Sequence, residues 1–154
     1  MNLLKHMTCG LLIICLLLSI DGAPLTTALN CISDTGISLQ LDTPIELVEF
    51  YYEKDTFPDC SFVMKARLSE SECTDLLIQL DSSKIYMALE NSDEGYRKFT
   101  GNVKRFENKY GIDFTKVTNI YRAWTAGEVV WTIYTIFIFA QESEGYLLTI
   151  IRLV

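Results

Sequence analysis

Residues Val129–Ala140 read VVWTIYTIFIFA, an apolar and aromatic run interrupted only by Thr132 and Thr135, and it leaves the chain few ways to fold. The run is too short for a membrane-spanning helix, which needs about 20 apolar residues. Residues so rich in β-branching and aromatic rings favour an extended strand instead. Toward Phe139 both faces of that strand become apolar, so it requires a central place in a sheet with cover on both sides. Val117–Trp124 and Tyr146–Val154 flank it as two further strands, with Ala126-Gly127 and Gln141–Gly145 as the turns.

The upstream half alternates between shorter signals. Ile37, Leu39 and Leu41 alternate with polar residues as a first strand, closed by Asp42-Thr43-Pro44. Ile45–Glu53 reads as a second, Phe62–Leu68 as a third and Lys84–Glu90 as a short fourth. Between these last two, Ser69 and Glu72 form the S-x-x-E pattern of a capping box. Cys73, Leu76, Leu77 and Leu80 then follow at helical spacing, which predicts a helix over Glu70–Leu80. Asn91-Ser92-Asp93 offers a cap for a second helix, in which Tyr96, Phe99, Val103, Phe106 and Tyr110 make one apolar seam. Gly111 stands where a left-handed cap favours glycine. The expected fold is α+β, a mainly antiparallel sheet of about five or six strands with two helices packed on one face.

The N-terminus carries a different signal. Lys5 and His6 precede the apolar run Gly10–Ile20, and small and polar residues follow from Asp21 to Ala28. This matches a signal peptide or N-terminal anchor over residues 1–23. Residues 24–34 then read as a tether and 35–154 as a single α+β domain. Cleavage after Ala28, with Thr26 two residues before it, fits the small-residue rule better than cleavage after Ala23. Ala23 stands where a lipoprotein would need its cysteine, so a lipid anchor is not expected. The chain is read as secreted or held at the cell envelope, touching a membrane only through the N-terminal segment if that is retained. Cys31, Cys60 and Cys73 remain beyond the leader, an odd number for an oxidising compartment. Cys60 and Cys73 bracket a strand-to-helix unit and are the favoured disulfide pair.

The only histidine, His6, lies in the leader. A domain without histidine has no Ser-His-Asp or Cys-His nucleophile system and no His-rich metal site. No phosphate-binding glycine loop or nucleophile elbow occurs. No catalytic residue, metal or cofactor is therefore assigned. Asn91–Asn102 resembles a calcium loop only in its first two ligands, and helix capping explains the same residues. One catalytic alternative survives, a histidine-independent hydrolase of cell-envelope polymer using paired carboxylates. Asp55 and Asp59, flanking Phe57-Pro58, are its candidates.

Net charge is −7, which opposes general nucleic-acid binding. Against that background Arg97, Lys98, Lys104, Arg105 and Lys109 gather on the polar side of the second helix. Such a ridge suits an anionic partner, either a protein or an anionic envelope component. Tyr51 and Trp124 are the strand aromatics placed to join such a surface. The expectation is a small exported binding protein, inhibitor-like, immunity-like or envelope-associated. A further reading makes it a structural subunit pairing through Tyr146–Val154, provided that strand is a sheet edge.

Overall fold

The computed structural model describes residues 26–39, 46–53, 61–126 and 132–153. Within them a helix α1 (residues 26–33) is followed by strands β1 (Glu46–Glu53) and β2 (Ser61–Leu68), helix α2 (Glu70–Ser82) and the two-residue strand β3 (Met87–Ala88). Helices α3 (Asp93–Thr100) and α4 (Val103–Tyr110) come next. Strands β4 (Val117–Ala126), β5 (Thr132–Gln141) and β6 (Tyr146–Leu153) close the chain. The six strands form one antiparallel sheet in the order β1-β2-β6-β5-β4-β3. The fold is α+β.

Period-two alternation along the central strands divides the core in two. Phe137 and Phe139 of β5, with Leu148 and Ile150 of β6, join a cluster with Ala28 and Ile32 of α1 and Cys73, Leu76 and Leu80 of α2. Their neighbours Ile136, Ile138 and Ile151 face the other way, into a cluster with Tyr96 of α3, Tyr110 of α4 and Phe114. Helices thus cover both faces of the sheet. The expectation of two helices on one face is corrected accordingly, because Phe139 and Ile138 both need shielding from water and one layer of helix shields only one of them. Each such side chain is worth about 1.5–3 kcal/mol when buried.

Local chemistry explains the helix limits. The capping box at α2 is complete: the Glu72 amide donates to Ser69 Oγ at 3.3 Å, and the Ser69 amide donates to Glu72 Oε2 at 2.7 Å. The aromatic seam expected as one helix is split. Gly101 ends α3 at φ 67°, and Asn102 restarts the chain as the N-cap of α4, accepting from the Arg105 amide at 2.9 Å. The break lets Phe99 and Phe106 meet edge to face at 5.6 Å and brings Phe106 against Tyr110 at 4.6 Å.

Three further expectations change. Residues 26–33, read as tether, are helical, and Ala28 and Ile32 lie in the core. Residues 37–39 form no strand, although Ile37 is buried, and the rest of that predicted strand lies outside the described residues. Strand β6 is central, hydrogen-bonded to β2 and β5, so it offers no edge for pairing with a second copy. Among the described residues no helix is long and apolar enough to cross a membrane.

Candidate functional site

The sheet order places β1 beside β2, and the end of α4 lies over the same face. In the β1–β2 ladder Glu49 pairs with Lys65 and Tyr51 with Val63, so these four side chains share that face. With Lys109, Tyr110 and Gly111 from the end of α4, and Leu153 from β6, they line a groove of about 340 Å³. Gly111 matters to its shape. It adopts the left-handed conformation that ends α4 (φ 61°), and an added Cβ would lie 3.3 Å from Lys65 Nζ.

The groove is electrostatically mixed. Lys65 Nζ donates to Glu49 Oε2 at 2.7 Å, the lysine side chain only 12% exposed and the glutamate 54%. The C-terminal end of α4 close by favours cations through its dipole. Lys109 projects from that last turn, with Nζ 4.9 Å from the centre of the Tyr110 ring. Tyr51 is 59% exposed and presents an open ring on the opposite wall.

The sequence-predicted residues divide between this groove and its surroundings. Tyr51 and Lys109, 58 positions apart in the chain, line it together. Arg105 lies one turn before Lys109 on the same side of α4. Lys104 is also exposed, and among the described residues no carboxylate stands within 4 Å of Lys104, Arg105 or Lys109. Lys98 pairs with Glu94 at 3.1 Å, and Arg97 Nε donates to the Asp93 carbonyl at 3.2 Å. Trp124 is in β4 opposite Tyr134, its side chain outside the described residues. Glu49 and Lys65 have no role in the sequence reading, and Tyr110 and Gly111 enter it only as part of the helix seam and as its cap. Nothing in the sequence sets Lys65 apart from Arg67, the other cation alternating with apolar residues along the same strand.

Of the expected disulfide, Cys60 lies outside the described residues, as do Asp55, Asp59 and His6. Cys73 is a free thiol 2% exposed in the core. Burial pushes it up to about 11 from its ordinary 9.0, the opposite of the lowering a nucleophilic cysteine needs. The Tyr121 hydroxyl donates to Asp81 Oδ1 at 2.7 Å, tying β4 to α2. Burial first, and that carboxylate second, raise its ionisation well above the ordinary tyrosine value. Among the described residues no group of three or more potential ligand side chains is placed to hold a metal ion. No family model matches the chain, and neither a curated protein nor a solved structure does.

Proposed function

We propose that this chain is a small exported binding protein that acts through the groove between β1 and the end of α4, docking a protein or an anionic envelope component. The observation that carries the reading is the convergence of Tyr51 and Lys109 on one concave surface. Exposed tyrosine is among the residues that anchor binding surfaces, and among the described residues Lys109 beside it has no carboxylate partner. The exposed side chains of Lys104 and Arg105 extend the positive charge along α4, against the net −7 of the whole chain.

The test is affinity capture from the native envelope and medium with the mature chain and with a Tyr51→Ala, Lys109→Gln double variant. The native chain is expected to retain a partner that the double variant loses, with retention falling as salt is raised. Recovery of the same components by both proteins would overturn the proposal.

A further inference from the structure

The groove's chemistry is selective enough to name a ligand class, and this step rests on the binding reading above. We infer that the groove takes a carboxylated saccharide, a sugar acid or a short oligomer of one.

A ligand here meets three different surfaces. Its volume of about 340 Å³ is at the small end for ligand sites, suited to one or two rings. On one wall the open Tyr51 ring offers an apolar platform for the C–H face of a pyranose. On the floor, Lys65 gives one N–H to Glu49, leaving two donors beside a carboxylate that is half exposed. A donor and an acceptor side by side match a pair of adjacent hydroxyls, which both give and accept hydrogen bonds. On the far wall Lys109 has no carboxylate among the described residues. A ligand carboxylate would complete it.

Simpler ligands fit worse. A neutral sugar leaves Lys109 without a counter-charge. An acidic peptide supplies a charge for Lys109 but neither a ring with a C–H face for Tyr51 nor adjacent hydroxyls for Glu49 and Lys65. A sugar acid brings a ring face for Tyr51, hydroxyls for Glu49 and Lys65 and a carboxylate for Lys109 together. Arg105, one turn back along α4, is then the next cation met by a longer chain.

Isothermal titration calorimetry on the full chain with glucuronate, glucose, trigalacturonate and hexaglutamate tests this. Glucuronate should bind about tenfold more tightly than glucose, the size of one charge-assisted hydrogen bond, and trigalacturonate more tightly again. Lys109→Gln should abolish the preference for glucuronate over glucose. Tyr51→Ala should weaken every sugar, and Arg105→Gln only the trisaccharide. All three side chains are exposed, so circular dichroism should report unchanged folding. Equal affinity for glucose and glucuronate, preference for hexaglutamate, or a preference that survives Lys109→Gln would overturn the inference. If no sugar acid binds but affinity capture still finds a partner sensitive to the double variant, the saccharide class falls and the binding reading stands. If the double variant changes neither measurement, both fall.

Discussion

Arg152 Nη1 donates to the carbonyl oxygen of Cys31 at 3.1 Å, joining β6 to the last turn of α1. Carbonyls in that turn have no acceptor role within the helix, and a guanidinium there also suits the helix dipole. Arg152 is itself only 9% exposed, so α1 shields a charge as well as filling the core with Ala28 and Ile32. Signal cleavage after Ala28, which the small-residue rule favours, would remove the first three of the eight residues of this helix, the core residue Ala28 among them. If the N-terminal segment is removed, the mature chain should therefore begin at or before Thr26, as intact mass of the protein purified from its native source will show. A start at Leu29 would mean that the fold stands without the first three residues of α1.

The α2 cap gives a prediction with a built-in comparison. Ser69→Ala removes the oxygen that accepts from the Glu72 amide and should cost about 1 kcal/mol, whereas Ser69→Gly should cost only a few tenths. Urea unfolding of the two variants separates them. Both variants lack the accepting oxygen, so equal losses would show that the hydrogen bond sets the whole cost and that backbone freedom at the cap adds nothing.

Much of this fold was legible because its strongest signals are local. The run ending at Phe139 announced a strand covered on both faces, and Ser69 with Glu72 announced a helix start. The error over helix placement came from weighing strand order in the sequence above that two-sided pattern. The break at Gly101 was hidden because Tyr96, Phe99, Val103, Phe106 and Tyr110 keep helical spacing straight through it. Helix α1 was missed because Ala28, Leu29 and Ile32 supply barely one turn of periodicity close behind the apolar run Gly10–Ile20. The groove depends on non-local pairing, with the first and second strands beside the last and α4 returning above them. Tyr51 and Lys109 could be suspected singly, but nothing in the sequence placed them together. Lys65 looked like any solvent-facing strand residue until Glu49 appeared across from it.

Gly145 makes the tightest backbone approach in the turn before β6. Its φ is +87°, and an added Cβ would stand 2.3 Å from the carbonyl oxygen of Leu68, which no side-chain motion relieves. Gly145→Ala must therefore bear the cost of a left-handed alanine and also push β6 from β2 where Leu68 faces Tyr146. A loss of at least about 2 kcal/mol is expected. Gly36 has a similar φ of +80° with open space around it, so Gly36→Ala should lose only about 1 kcal/mol. Thermal or urea unfolding will rank them, and equal losses would place the Leu68 carbonyl further from Gly145 than described.

Cys73 couples stability to alkaline pH. In the folded chain its thiol ionises near 11, against 9.0 when exposed, because burial penalises the thiolate. Between those values the unfolded chain has released this proton and the folded chain still holds it. Stability falls with pH wherever the folded state binds more protons, so the loss begins near pH 9 and is complete above 11. Tyr121, shifted in the same direction by burial and by Asp81, adds to the loss from about pH 10, the ordinary tyrosine value, upward. Cys73→Ala removes the first contribution and leaves the second. Urea unfolding at pH 7.5 and pH 10 should show the native chain losing more stability than Cys73→Ala between the two conditions. Equal losses would mean that the thiol ionises as readily inside the fold as outside it, which is incompatible with its place among Leu76, Leu80 and Phe139.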